Sequence, residues 1–76
     1  MPPLPILTGR EVVRVFESLG WRVARCRGSH MAMLKLGEVA TLSVPDHREV
    51  GRGTLRKPIR QAGLTVQDFL DALESL

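Results

Sequence analysis

A stretch in the first half of the chain, WRVARCRGSHMAMLKL (21–36), constrains the fold more than any other feature. Its first half alternates apolar and basic residues, as a strand with one buried face does. Gly28 and Ser29 follow as a Gly-X pair, which is typical of two-residue hairpin turns. Because residues 30–36 then read as a second strand, the stretch predicts an antiparallel hairpin with His30 at the beginning of its second strand.

A third strand is predicted at VATLSV (39–44), after a turn at Gly37 and Glu38. Pro45 ends this strand, because proline has no amide hydrogen for a strand ladder. Apolar residues share one of its faces: Ala40, Leu42 and Val44. Alternation in the first strand leaves open which of two sets points outward: Arg25 and Arg27, or Arg22 and Cys26.

Two helices begin with predicted capping boxes, in which a Thr and an acidic residue three positions later bond each other's backbone amides. Thr8 and Glu11 begin the first helix, and Gly20 ends it in a left-handed conformation. Thr65 and Asp68 begin the last helix. Apolar residues recur at helical spacing in both: Val12, Val15, Phe16 and Leu19, and then Val66, Leu70, Leu73 and Leu76.

A helix between these two is predicted to be capped by Thr54 and to end at Gly63. Its inner face would carry Leu55, Ile59 and Ala62. Pro58 lies four residues past Thr54 and lacks an amide hydrogen, so we expect the helix to start late or to kink. Residues 45–54 before it are polar and rich in turn formers, which indicates a surface loop.

These elements predict a single α+β domain over residues 1–76, in the order α-β-β-β-α-α. The strands form a three-stranded antiparallel sheet with the helices packed on one face, and the other face is left open. Residues 1–7 contain three prolines and are expected to form an extended segment.

The composition argues against several classes of protein. Cys26 is the only cysteine, so neither an internal disulfide nor a cysteine-ligated zinc site is possible. No apolar run approaches the roughly 18 residues of a membrane span, and MPPLPIL lacks the charged leader of a secretory signal. We therefore expect a cytoplasmic protein without a membrane partner, and the sequence indicates no metal site or cofactor.

Charge is distributed unevenly along the chain. All 11 Lys and Arg residues lie within residues 1–60, where five acidic residues leave a net charge of +6, whereas residues 61–76 carry a net charge of −3. A basic body suits a polyanion such as nucleic acid, although an ordinary salt-bridged surface would show the same balance. Five basic residues form either an anion-binding corner or a solvated helix face: Arg48, Arg52, Arg56, Lys57 and Arg60.

Two histidines are candidates for chemistry. His30 follows a tight turn at a strand end, and histidine is the usual acid or base in phosphodiester cleavage. Neighbouring cations would stabilise the charged transition state without a metal. A half-buried histidine bonded to a backbone group is the alternative interpretation. His47, in the loop after the third strand, is expected to make a local hydrogen bond or to contact phosphate.

The chain resembles the HicA toxins, also called the YcfA-like family, of bacterial toxin–antitoxin pairs. The resemblance lies in four stretches that occur in the family's order across about residues 8–70: LGW (19–21), R-x-x-GSH (25–30), SVPDH (43–47) and GTLRKPIRQAGLT (53–65). It implies a double-stranded-RNA-binding-like fold and a type II toxin that is a metal-independent endoribonuclease. The toxin would cleave mRNA and be neutralised by a HicB-like antitoxin.

The resemblance implies a single catalytic histidine, which falls on His30. The residues expected to bind RNA are Arg25, Arg27, Gly28, Ser29, Lys35, His47, Arg52, Thr54 and Arg56. The sequence departs from the family pattern at Met31, where many members carry a histidine or an arginine. It also departs at Pro58, which replaces an aliphatic or polar helix residue, and in the short turn at 37–38.

Two other hypotheses remain open from the sequence. The first is a non-catalytic RNA-binding module of the same fold, because His30 has no obvious second proton-transfer group beside it in the sequence. The second is a degenerate member that survives only as an interaction partner.

Overall fold

The computed structural model describes residues 4–76, so the first three residues of the predicted extended segment lie outside the described part of the chain. Three helices and three strands follow one another: α1 (Gly9–Ser18), β1 (Arg22–Arg27), β2 (His30–Leu34), β3 (Leu42–Pro45), α2 (Arg52–Gln61) and α3 (Val66–Glu74). The predicted α+β class and the order of its elements are confirmed.

The predicted hairpin is confirmed, and β2 is the central strand of an antiparallel sheet in the order β1-β2-β3. Gly28 turns the chain with a φ of 59°, in the left-handed region that glycine adopts without strain. Arg27 and His30 face each other directly across this turn. His30 therefore begins the central strand, as predicted.

The predicted end of the second strand and the predicted start of the third strand are wrong. The chain leaves the ladder after Leu34, and a turn closes with the Glu38 amide donating to the Lys35 carbonyl at 3.0 Å. Gly37 provides the positive φ of 87° that this turn needs. Leu36 and Val39 consequently lie in an unpaired connection and are fully exposed, although their apolar character favoured strand.

A bulge in β1 determines which of its residues point outward, which the alternating sequence pattern did not decide. Arg25 pairs with Ala32 and Val23 with Met33, so Ala24 is an extra residue without a partner. The extra residue reverses the alternation in one half of the strand relative to the other. Arginines from both halves of β1 therefore share one sheet face, which we call the outer face; its strand residues are Arg22, Arg25, Arg27, His30, Ala32, Leu34, Ser43 and Pro45.

The opposite sheet face packs against the helices. Its buried residues include Met31, Met33, Leu42 and Val44. From the helices, Phe16 of α1 and Phe69 of α3 meet in the core with ring centroids 5.4 Å apart. Met31 is thus a core residue that points away from His30, because neighbouring residues of a strand face opposite sides.

Both predicted capping boxes are present. The Thr8 amide donates to Glu11 Oε1 at 2.9 Å, and the Glu11 amide donates to Thr8 Oγ1 at 3.1 Å. The bond from the Thr8 backbone is the main cause that lowers the pKa of the Glu11 carboxyl. Thr65 and Asp68 cap α3 in the same way.

The predicted apolar face of α3 is partly wrong. Phe69 and Ala72 are its buried residues, whereas Val66, Leu70 and Leu73 are only partly buried against the core. Leu76 lies beyond the end of the helix and is exposed.

The predicted start of the middle helix is wrong. Helix α2 begins at Arg52 after Gly51, so Thr54 lies inside its first turn and is not its cap. The Leu55 amide donates to the Gly51 carbonyl at 2.9 Å, which shows that the helical ladder is established before Pro58. Pro58 costs the helix one amide donor, yet it is a buried residue of α2, as are Leu55 and Ile59.

The segment before α1 packs on the rest of the molecule. Leu4 and Leu7 are buried in the core, and the Val50 amide donates to the Leu7 carbonyl at 2.7 Å. Arg52 Nε donates to the Leu4 carbonyl, so one end of α2 is tied to this segment. None of the helices in residues 4–76 has the length and apolar character needed to cross a membrane.

Candidate active site

An open pocket of about 330 Å³ lies between the outer face of the sheet and α2; we call it the His30 pocket. Its lining residues from the sheet and its extension are His30, Ser43, Pro45 and His47. The connection to α2 and the helix itself contribute Glu49, Val50, Gly51, Thr54, Lys57, Pro58 and Gln61. Three residues predicted from the sequence, His30, His47 and Thr54, are therefore brought together here.

The hairpin turn places the His30 side chain at this pocket. His30 is exposed and pairs with Arg27 on one side and Pro45 on the other. Gly28 and Ser29 form the turn immediately before it, so these predicted residues lie at the rim of the same region. The alternative of a half-buried histidine does not describe this exposed side chain.

The position of His47 follows from the alternation of β3. Ser43, Pro45 and His47 are two residues apart and all line the pocket, as expected for an extended chain with one face turned toward it. The Asp46 amide donates to the Ser29 carbonyl at 2.6 Å, which extends the pairing one residue past the end of β3. His47 therefore follows a paired residue.

Gly9 holds the same segment from the other side, and sequence patterns did not identify this role. Its amide donates to the His47 carbonyl at 2.8 Å. A Cβ on Gly9 would lie 2.1 Å from the Pro45 carbonyl oxygen and 2.9 Å from the Asp46 Cα. Only glycine allows the beginning of α1 to approach residues 45–47 this closely.

One face of α2 forms the opposite wall of the pocket. Thr54, Lys57 and Gln61 recur at three- and four-residue spacing, so they share that face. The first-turn amides of α2 and the positive end of the helix dipole lie at this wall, an arrangement that favours an anion. Lys57 was included only in the broader basic group, and the i, i+3 spacing from Thr54 is the sequence signal that identifies it.

Several predicted RNA-binding residues lie outside the pocket. Arg27 is the cross-strand neighbour of His30, and Arg25 lies farther along the outer face beside Ala32. Lys35 lies at the other end of the hairpin, where its Cε is 3.1 Å from the position of a Cβ on Gly20. The structure therefore does not bring Lys35 together with His30.

Two arginines of α2 also face away from His30. Arg52 is bonded to the Leu4 carbonyl, which gives its side chain a structural contact. Arg56 lines a separate shallow groove with Arg60 and Leu64, toward α3. The predicted anion-binding corner is therefore divided between two sides of the helix.

Among the described residues, the cations around the pocket form no ion pairs. Within residues 4–76 the single ion pair joins Arg10 and Asp46 at 3.6 Å. Lys57 and the arginines of the outer face are thus available to form ion pairs with an external partner. The same part of the chain contains no group of three or more His, Cys, Asp or Glu side chains close enough to hold a metal ion.

Comparisons with known proteins agree with this architecture. The model of the family described as the HicA toxin of bacterial toxin–antitoxin systems matches residues 9–64. A solved chain from a toxin–antitoxin complex of Streptococcus pneumoniae is 36% identical with a TM-score of 0.67, over 76% of this chain and 98% of that chain. No curated protein matches the chain. Because this match covers well over half of the sequence, the chain belongs to the HicA toxin family.

Proposed function

We propose that this HicA family member is the toxin of a type II toxin–antitoxin system and a metal-independent endoribonuclease that cleaves mRNA. The observation that carries the proposal is the position of His30. Its exposed imidazole lies on the basic outer face of the sheet and opens into a pocket that also holds Lys57. This arrangement joins a group able to transfer protons with a cation able to bind phosphate.

RNA supplies its own nucleophile, so few protein groups are needed. His30 takes the proton of a 2′-hydroxyl, and the 2′-oxygen attacks the adjacent phosphorus. Lys57 and the first turn of α2 stabilise the negative charge that develops on the phosphate oxygens. The products are a 2′,3′-cyclic phosphate and a 5′-hydroxyl.

The outer face supports a path by which RNA would reach the pocket. Arg22, Arg25 and Arg27 follow β1 on that face and end beside His30. Arginines along one surface bind the phosphate backbone without reading base edges, and such binding weakens as salt concentration rises. We therefore expect RNA to lie along β1 with one phosphate in the His30 pocket.

A HicB-like antitoxin is the proposed protein partner. The Streptococcus pneumoniae chain that resembles this one comes from a toxin–antitoxin complex. An inhibitor that covers the outer face or the His30 pocket would meet a surface of unpaired cations, so we expect it to present acidic side chains there. A co-expressed antitoxin that bound only the acidic helix α3 and left RNA cleavage unchanged would contradict this proposal.

Cleavage of an end-labelled single-stranded RNA in EDTA tests the enzymatic proposal. The wild-type protein is expected to cleave, and His30→Ala is expected to lose the activity while it keeps its Tm, because the side chain is exposed. RNA binding by both proteins with cleavage by neither would favour the non-catalytic RNA-binding module.

A further inference from the structure

We propose that His47 is a second catalytic residue, the general acid that protonates the leaving 5′-oxygen while His30 takes the 2′-proton. This inference rests on the proposed ribonuclease function. A sequence with one histidine after a turn and another in a later loop does not indicate such a pair. In the structure both residues line one pocket, and His47 also borders a second groove beside Arg10 and Arg48.

Backbone contacts fix the position of His47. Its own carbonyl accepts from the Gly9 amide at 2.8 Å, and the preceding Asp46 amide donates to the Ser29 carbonyl at 2.6 Å. The absence of a Cβ on Gly9 permits this close approach. Residue 47 is thus held between α1 and the hairpin turn by main-chain bonds, and its imidazole is exposed for chemistry.

The register of the sheet sets the spacing between the two histidines. His30 pairs directly with Pro45, and His47 lies two residues beyond Pro45, past the end of β3, where it lines the same pocket. Such diagonal neighbours in an antiparallel pair are separated by roughly 7–8 Å. A phosphodiester bound in this pocket would lie between the two histidines, and Lys57 lines the α2 wall of the same pocket.

The protons balance over the reaction. Neutral His30 accepts the 2′-hydroxyl proton as the bond from the 2′-oxygen to phosphorus forms. The bond from phosphorus to the 5′-oxygen breaks, and protonated His47 gives its proton to that oxygen. His30 then returns its proton to water and His47 takes one up, so no oxidant or further reactant is consumed.

A substrate with a sulfur leaving group distinguishes a general acid from a binding residue. When a 5′-bridging sulfur replaces the oxygen, the leaving thiolate needs no proton. His47→Gln is expected to slow cleavage of the oxygen substrate by about a hundredfold or more, and to slow the sulfur substrate far less. His30→Gln is expected to lose activity on both substrates, because the 2′-proton must still be removed.

Lys57→Ala is the matched control, since Lys57 lies on the opposite wall of the same pocket. It is expected to slow both substrates by the same factor, as loss of a phosphate contact should. Glu49→Gln, which alters another lining residue on the connection, is expected to show no selective rescue by sulfur. The Tm and the binding of a 2′-O-methyl RNA report whether each variant is folded and still binds.

Each remaining outcome overturns the inference. Equal losses on both substrates for His47→Gln would make His47 a binding or structural residue, and no loss would remove it from the reaction. Selective rescue of His30→Gln would reverse the two assigned roles. If the wild type cleaved neither substrate, the proposed ribonuclease function itself would fail, which separates the two failures.

Discussion

At the end of the sheet that carries His30, the strands are joined tightly and their pairing continues beyond them. A two-residue turn links β1 to β2, and the Asp46 amide bonds the Ser29 carbonyl past the end of β3. At the opposite end, the chain leaves the ladder and crosses residues 35–41 with Leu36 and Val39 fully exposed. We call these the turn end and the connection end.

The two ends differ in how firmly hydrogen bonds hold the chain in position. Catalysis needs groups held in fixed positions, because small displacements cost large factors in rate. At the turn end, α1 and the turn between β1 and β2 both bond the segment that contains His47. The connection end has only a single turn bond, from Glu38 to Lys35, across residues 35–41. The proposed site is therefore at the end where more backbone hydrogen bonds from other parts of the chain hold the segment.

The largest effect on the free energy of unfolding is expected for Gly9→Ala. Its Cβ would meet the Pro45 carbonyl oxygen at 2.1 Å, so residues 45–47 must move. Overpacking of this kind costs about 1–3 kcal/mol or more, and cleavage should fall with stability. Urea unfolding and RNA cleavage measure the two effects.

Gly53→Ala provides the matched control for that substitution. Gly53 also lies in the first turn of a helix, but a Cβ there would have no heavy atom within 4 Å. Alanine should stabilise that helix by about 0.5–1 kcal/mol. Equal effects of the two substitutions would contradict the close approach assigned to Gly9.

The next largest effect compares the two capping threonines. Thr8→Ala and Thr65→Ala each remove one capping bond and should cost about 1 kcal/mol. Only Thr8 precedes the turn of α1 that bonds His47, so only Thr8→Ala should also lower the cleavage rate at a temperature where both variants are folded. A similar loss of rate in both would indicate that capping acts through global stability alone.

Some of these features follow from local sequence patterns, and others depend on distant parts of the chain. The alternating residues around Gly28 predicted the hairpin, and the Thr8 and Thr65 motifs predicted two helix starts, because each signal is local. The bulge at Ala24 and the close approach of Gly9 depend on partners distant in sequence, so no local pattern indicates them.

The candidate site divides in the same way. His30 was identified from its turn and from the family resemblance. Lys57 was predicted only within the broader basic group, and the folded arrangement brings it and Glu49 to the pocket. Thr54 lies at the pocket as part of the first turn of α2, not as its cap, because tertiary contacts of Leu4 and Arg52 support an earlier start. Lys35 is near His30 in sequence but lies at the connection end.

A smaller effect on stability is expected when the pH is lowered. The Thr8 bonds lower the pKa of Glu11 in the folded protein, so this carboxylate stabilises the fold above the ordinary glutamate range of roughly pH 4.3. The stabilisation is lost as pH falls through the lowered pKa. Glu11→Gln cannot titrate, so its urea midpoint should fall less than that of the wild type across this window. Parallel curves would contradict the assignment.

The smallest effect is expected at the connection end. Leu36 and Val39 are fully exposed, so replacing both with Ser should change stability by no more than about 0.5 kcal/mol. Cleavage by this double variant should equal that of the wild type. A marked loss of rate with an unchanged Tm would show that the connection contacts RNA and would weaken the contrast between the two ends.

The most direct test of the account is the chemical identity of the RNA ends that the purified wild-type protein produces in EDTA. Mass spectrometry of the fragments should find a 2′,3′-cyclic phosphate on one side of each cut and a 5′-hydroxyl on the other, and His30→Ala should produce neither. Fragments that carry a 5′-phosphate and a 3′-hydroxyl, or equal cleavage by His30→Ala, would contradict a reaction that begins with His30 and the 2′-hydroxyl.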